Sequence, residues 1–492
     1  ELGTVQYDVM SEYAIEVSIA AVNGSVDENA FNNEAELGDI HTQLSGNVLV
    51  GGGYYYTQLQ QVLDEIALYG VCGPITANVF PGTYNGFSIG SELSLSADNT
   101  LTIQSVNGDA EAIQIVGGSN QQAAITIESA GFVSLERLAV NAVLGDALHL
   151  NGSTHHVAVR ECVIAGDIVS IGGGDDALVC EYNTIDGALI LSGDADEPDT
   201  FTEVRGNTFT NGRIMIMHSE APELESNVLS GAVSGAPAIE LIACSQGAGI
   251  RMNRIEGNYA GGLALDVIGT PGARVKVHNN VVHVTGAEYA LSFSASSAFA
   301  DVVFNTLNTT GGQHTAVLNG ANMQFVNNIV TADQGILLSI EAASAVASSN
   351  HNVYFGNSTI MAEVEGVQFA DLASFQAGNP FDASSQSLDP QFSGATSLAP
   401  TNPEMAGTAM PWPDVTTDIL GIVRDAIAPT AGAFEQVAAE VTGDVDGDGE
   451  VSSTDLFTLL GNYGCVGECA GDLDGDGVVG VSDLIILIGQ ME

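Results

Sequence analysis

Two short acidic segments near the end of the chain carry the densest chemistry in the sequence. The first runs Asp444-Val445-Asp446-Gly447-Asp448-Gly449-Glu450-Val451-Ser452-Ser453-Thr454-Asp455. The second, 28 residues later, runs Asp472-Leu473-Asp474-Gly475-Asp476-Gly477-Val478-Val479-Gly480-Val481-Ser482-Asp483. Oxygen donors at the first, third, fifth and twelfth places are the spacing of a calcium loop. Its other marks are a sixth-place glycine for the sharp turn and a seventh-place backbone carbonyl (Glu450, Val478). Ser452 fills the ninth place of the first loop, whereas Gly480 has no side chain, so water must serve there. Apolar residues at helical spacing follow each loop: Leu456, Phe457, Leu459, Leu460, and Leu484, Ile485, Leu487, Ile488. A disordered acidic tail would not keep two loops in register, each leading into a helix. Two Ca2+ ions are expected. One is held by Asp444, Asp446, Asp448, Glu450, Ser452 and Asp455, the other by Asp472, Asp474, Asp476, Val478 and Asp483.

Residues 437–492 hold 12 acids and no cation, and the rest of the chain is acidic too. Across 492 residues, Lys+Arg number 9 and Asp+Glu 61, a formal charge of −52. Nucleic acid and anionic membrane surfaces need clustered cations, so neither is an expected partner. With 45% apolar residues and a mean hydropathy of +0.21 there is ample core material. No run approaches the roughly 18 apolar residues of a membrane span. The start at Glu1 fits either a processed secretory protein or a trimmed chain, and the single lysine (Lys276) with the acidity points to an extracellular or cell-surface setting in salty, calcium-bearing water.

What must position this chemistry is a repeat. Asn183, Asn207, Asn227, Asn253, Asn280, Asn305, Asn328 and Asn352 recur at spacings of 24, 20, 26, 27, 25, 23 and 24. Cys162 and Leu138 occupy the same place in two earlier rows. Three residues before this column runs Leu135, Val159, Cys180, Val204, Leu224, Ile250, Val277, Val302 and Phe325. Two residues after it runs Val140, Ile164, Ile185, Phe209, Leu229, Ile255, Val282, Leu307, Val330 and Tyr354. A unit of about 24 residues is too short for a domain and must bury its apolar positions against its neighbours. Strand signals without a helical period make each unit one turn of a parallel β-helix. The apolar columns then stack inside and the Asn column marks a bend, where left-handed backbone is cheapest for Asn and Gly.

Two residues before the Asn column the sign alternates: Glu136, Arg160, Glu181, Arg205, Glu225, Arg251, His278. Strands about 4.8 Å apart would set each Arg between two carboxylates on the outer wall. Such a ladder fixes the register that a variable period leaves loose.

Residues 57–69 place Leu59, Val62, Leu63 and Ile66 on one helical face, a cap for the open strand edge. Alternation of Ile15, Val17 and Ile19 suggests one further strand. The expected divisions are 1–49 (strand and cap), 50–436 (β-helix) and 437–492 (calcium module). The Pro81-Gly82-Thr83-Tyr84 segment, the Asn-centred turns and the closing Gly432-Ala433-Phe434-Glu435 resemble right-handed parallel β-helix proteins of the pectate-lyase-like superfamily. That resemblance implies an all-β, right-handed solenoid and little about activity, because lyases, hydrolases, epimerases, adhesins and non-catalytic surface proteins share the fold.

A loop whose twelfth ligand is Asp, followed by a single helix and duplicated at the C-terminus, resembles the dockerin module. The resemblance implies a small α-helical unit with two EF-hand-type loops, docking on a cohesin-like or cell-surface partner. Hydroxyls just before the last ligand contribute to recognition in that family; Ser453 and Thr454 match in the first repeat. The second has Val481 and Ser482, a departure from the duplicated face. Cys465 and Cys469 lie between the loops, close enough to bridge in a small secreted module.

Two arrangements could support catalysis on a polysaccharide. Elimination needs a base, and Arg251, Arg254, Arg274, Lys276 and His278 fall on consecutive turns. Hydrolysis needs two carboxyls, and Asp175-Asp176 after Gly172-Gly173-Gly174 loosely resembles the acidic pair of polygalacturonases. The Gly-His-Gly and Arg-x-Lys elements that accompany that pair are absent. Three functions compete: an anchored β-helix binding glycan or extracellular matrix, a carbohydrate-active enzyme, and a self-assembling structural subunit.

Overall fold

The computed structural model describes residues 12–18, 34–41, 43–118, 123–394, 396–436, 443–446, 451–467 and 469–491. Each repeat is one turn of a parallel β-helix, built from three short strands that stack on their counterparts in the next turn. The first face is a ladder of 13 strands, from Leu44–Val50 to Val346–Asn350. The second runs from Gly82–Asn85 to Val353–Gly356 and the third from Phe87–Gly90 to Ala362–Val364. Both apolar columns read from the sequence point inward and belong to one continuous core, from Leu135 and Val140 to Phe325 and Tyr354.

The Asn column stands at the corner between the first and second faces. All eight side chains are buried, at 0–1% exposure. In the first seven, Nδ2 donates to the Oδ1 of the Asn one turn on, at 2.9–3.2 Å. The same Nδ2 reaches back to a strand carbonyl of the preceding turn, for example Val204 O at 2.8 Å and Leu224 O at 3.0 Å.

The left-handed residue is not the Asn, as the sequence suggested, but the one before it. Arg137, Glu161, Tyr182, Gly206, Ser226, Met252, Asn279, Phe304, Asn327 and His351 all have φ between +53° and +65°. Most are neither Gly nor Asn, so each carries a strain of about 1–2 kcal/mol. At the eight positions followed by Asn, that Asn makes several buried bonds at about 1 kcal/mol apiece, which offsets the strain.

The charge ladder lies on the outer wall of the first face and is continuous from Arg160 to Arg251. Arg160 pairs with Glu181 at 3.2 Å. Arg205 meets Glu181, Glu203 and Glu225 at 3.3–3.4 Å, and Arg251 meets Glu223 and Glu225 at 3.0 and 3.3 Å. Its first rung differs from the expectation: Glu136 is taken by the adjacent Arg137 at 3.3 Å. At the far end His278 is half-buried, and desolvation, reinforced by Arg251, Lys276 and Arg424, pulls its pKa down to about 4. The ladder ends on a neutral ring.

Helix α1 (Leu59–Tyr69) buries Leu59, Val62, Leu63 and Ile66, the face its spacing indicated. Strand Glu12–Ser18 pairs antiparallel with Glu34–His41 in a two-stranded sheet of its own. At the other end, after helix α2 (Leu372–Gly378), the chain returns along the Asn corner. Asn279 Nδ2 donates to Thr417 O, Asn327 Nδ2 to Met410 O, and Gly432 N to Asn327 O. The Arg424 guanidinium, 5% exposed, sits 3.8 Å above the Phe304 ring. The chain divides into two compact units, Glu1–Phe434 and Glu435–Glu492.

Candidate functional site

In the C-terminal unit each acidic loop runs into a helix, α3 (Ser453–Gly461) and α4 (Val481–Gln490). Leu459, Leu487 and Val479 form a small core between them. Asp455 and Asp483, the twelfth-place residues, sit at the N3 positions of these helices and are 0% exposed. Oδ1 of Asp455 accepts from the N–H of Val445 at 2.6 Å and of Asp446 at 3.0 Å, and Oδ2 from Ser452 at 2.8 Å. Asp483 repeats this with Leu473 at 2.7 Å, Asp474 at 3.0 Å and Gly480 at 2.7 Å. These N–H donors, led by Ser452 and Gly480, hold both carboxyls below the usual carboxylate range.

The loops gather further oxygens. One ligand atom each from Asp444, Asp446 and Asp455 lies within 4.8 Å of the others, and so it is for Asp472, Asp474 and Asp476. Asp448 and Glu450 lie outside the described residues. Clusters of carboxylates with no cation in residues 437–492 repel themselves, and an oxygen-only donor set suits a hard divalent cation. Cys465 and Cys469 are joined by a disulfide with Cα atoms 6.2 Å apart. Val479 N–H donates to Cys465 O at 3.0 Å, tying that bridge to the second loop. Ser453, Thr454 and Ser482 are exposed at the helix starts. Beyond them the helices expose apolar residues at matching places: Phe457 (70%) with Ile485 (66%), and Leu460 (48%) with Ile488 (55%).

On the β-helix, the outer wall of the first face holds a groove of about 410 Å³. Its floor is small or short (Thr102, Ser134, Ala158), and Glu136 and Arg160 stand at one side. At the other, Phe132 and His156 stack at 4.7 Å, 16° from parallel. Both rings sit on left-handed residues, φ 56° and 54°, which turn them out of the strand ladder. No periodic signal marks these corner positions, so the sequence alone does not bring them together.

Lys276 and His278 share one small cavity of about 10 Å³ with Asp301 and Asp414, and Arg251, Arg254 and Arg274 do not line it. Arg274 is held by Asp301 at 2.6 Å and by the carbonyls of Ala300 and Asn322. Lys276 pairs with Asp414 at 3.3 Å, and Arg254 lies across the bend over the Phe434 ring, its pKa lowered by burial. Asp175 and Asp176 also part company. Asp175 is 4% exposed and accepts from Thr154 N and Oγ1 at 2.7 and 2.8 Å, and from the Ser170 hydroxyl. Asp176 is half-buried and accepts from Thr200 Oγ1 at 2.5 Å. The carboxyl electrostatically joined to Asp175 is Asp199, one turn on.

No protein-family model matches the sequence, and no curated protein matches it either. Among solved structures the chain is similar to the catalytic domain of a GH87 α-1,3-glucanase in complex with tetrasaccharides. The identity is 10% and the TM-score 0.27, over 72% of this chain and 71% of the other. So loose a likeness transfers neither activity nor subsites.

Proposed function

We propose that this protein is an anchored β-helix. Its C-terminal unit binds two Ca2+ ions and docks, in the manner of a dockerin, on a cohesin-like or cell-surface partner. Its β-helix binds a neutral glycan of the extracellular surroundings without turning it over. The observation that carries the reading is the shared wiring of Asp455 and Asp483, which accept from the same three loop positions 28 residues apart. In this reading Asp444, Asp446, Asp448, Glu450, Ser452 and Asp455 hold one ion. Asp472, Asp474, Asp476, Val478 and Asp483 hold the other. Bound calcium would neutralise the loops and fix the two helices, whose matched apolar residues then form the docking face beside Ser453, Thr454 and Ser482.

The glycan half rests on the groove. Pyranose rings present C–H faces that pack on aromatic surfaces, and Phe132 and His156 offer such a surface next to the polar Ser134, Glu136 and Arg160. A net charge of −52 favours a neutral chain over a polyuronate. The engaged state of Arg274 and Lys276 and the burial of Asp175 support the reading of binding without turnover. The test is a panel of neutral and uronate polysaccharides in millimolar Ca2+, scored for retention, new reducing ends and unsaturated uronate. Retention of a neutral glycan with no new ends is expected; new ends or unsaturated products would make the protein an enzyme.

A further inference from the structure

Both halves of the Cys465–Cys469 disulfide are wired into the second acidic loop. Cys465 O accepts from the Val479 N–H at 3.0 Å, and Cys469 O accepts from the Asp472 N–H at 3.3 Å. Asp472 and Val479 are the first and eighth residues of that loop, so the bridge braces it from its entry to the residue after the seventh place. Two further bonds extend the contact: Gly467 N–H donates to Gly477 O at 2.9 Å, and Gly464 N–H to Val479 O at 2.8 Å. Val466 and Val478 stand opposite each other in the resulting antiparallel pairing. None of the described residues makes such backbone bonds to Val451, the eighth residue of the first loop.

The pairing decides where the Val478 carbonyl points. Val466 and Val478 are a non-hydrogen-bonded pair, because the bonds are made by the residues on either side of them. In such a pair each residue turns its own N–H and C=O away from the partner strand. Val478 therefore aims both groups into the acidic loop, and its N–H is found there, donating to Asp476 Oδ1 at 2.8 Å. Its carbonyl accepts from none of the described residues, and it is the oxygen expected at the seventh place of the calcium loop. Both half-cystines also pack on the small core of Leu459, Val479 and Leu487, which anchors the brace.

We infer that the Cys465–Cys469 disulfide sets the calcium affinity of the second loop and makes that site, and not the first, sensitive to thiols; the inference rests on the reading of this unit as a calcium module. With the bridge closed, the Asp472 backbone and the Val478 carbonyl are placed before the ion arrives, so binding orders less chain. A dithiol opens the bridge by exchange. Its first thiolate attacks one sulfur to form a mixed disulfide, and its second displaces the other protein sulfur. The chain is left with two thiols, which take the two protons of the dithiol, and the reagent becomes a cyclic disulfide. Both cysteines are only half-buried and Val466 beside them is 77% exposed, so a small dithiol reaches the bridge.

The experiment is calorimetric calcium titration of two full-length variants, each before and after treatment with dithiothreitol. Asp444→Asn leaves the second loop to bind, and Asp472→Asn leaves the first. Opening the bridge should weaken binding by roughly tenfold in the Asp444→Asn chain and leave the Asp472→Asn chain unchanged. Adding Cys465→Ser and Cys469→Ser to the Asp444→Asn chain should reproduce the weakened binding without reductant. A converse measurement needs no substitution. In the wild-type chain calcium should slow the opening of this bridge by dithiothreitol, followed by alkylation and mass of the peptide that carries both cysteines. Equal affinity before and after reduction of the Asp444→Asn chain would overturn the inference, as would an equal loss at both loops or a bridge that opens at one rate with and without calcium. If neither oxidised variant binds calcium, the calcium module itself is refuted and this inference with it, so the two failures are told apart.

Discussion

Asn352 Nδ2 donates to Asp382 Oδ1 at 2.9 Å, and with that bond the Asn ladder ends on a buried carboxylate. Asp382 also accepts from the hydroxyls of Ser349, Ser385 and Tyr354, at 2.6, 2.6 and 3.2 Å. Each Asn amide donates towards the next turn, so the chain of dipoles delivers donors to the final turn, where an anion is the matching acceptor. Cutting the ladder at Asn253 should therefore cost more than a cavity of that size. It strands Leu224 O together with the N–H of Asn227, which bonded Asn253 Oδ1. Asn253→Ala is expected to lose about 3 kcal/mol in denaturant unfolding; a loss under 1 kcal/mol would mean that the ladder is incidental.

The charge ladder makes a comparative prediction. Arg205 lies among Glu181, Glu203 and Glu225, whereas Arg213 pairs with Glu240 at 2.9 Å. Arg205→Glu should lower stability by roughly 2 kcal/mol, and Arg213→Glu by roughly 1 kcal/mol, since each partly exposed pair is worth about 0–1 kcal/mol. Equal melting shifts for the two would remove any special role for the ladder.

His278 sets a pH dependence whose sign is fixed. Its pKa in the fold is about 4, below the unfolded value of 6.5, so the unfolded chain takes up a proton that the half-buried ring refuses. Stability from this group is present above pH 6.5 and lost as the pH falls towards 4. His278→Asn should flatten the wild-type decline in urea midpoint across that window. An unchanged decline would place the acid sensitivity in the carboxyls instead.

The groove can be tested through its rings. Phe132→Ala should weaken retention of a neutral glycan by up to about tenfold, the equivalent of roughly 0.5–1.5 kcal/mol for an aromatic contact. Tyr55→Ala, at an aromatic 74% exposed elsewhere on the β-helix, should leave retention unchanged. If both variants bind as the wild type does, the ligand does not lie on Phe132 and His156.

What the sequence made legible were features that repeat at a fixed offset. The two apolar columns, the Asn column and the alternating charges recur because each turn must meet the next in register, and the acidic loops recur at 28 residues. Features that depend on a single turn's path were hidden. The left-handed residue precedes the Asn because the Asn side chain is needed inside, and its type varies from turn to turn, fixed only where Asn279, Phe304 and Asn327 hold the returning segment. Asp175 had been placed beside Asp176 by adjacency, yet alternate strand residues face opposite sides, and its interior neighbour is Asp199, 24 residues on. The Phe132–His156 stack likewise joins residues 24 apart whose types do not recur along the corner.

The central claim is that the C-terminal unit is a calcium module, and the most direct measurement is the number of Ca2+ ions it accounts for. Calorimetric titration of the chelator-treated full chain, compared with the Asp444→Asn/Asp472→Asn chain, isolates that number. The account predicts that the double variant binds two ions fewer than the wild type, and that calcium no longer protects residues 437–492 from proteolysis. Equal stoichiometry for the two chains, with equal protection, would contradict it.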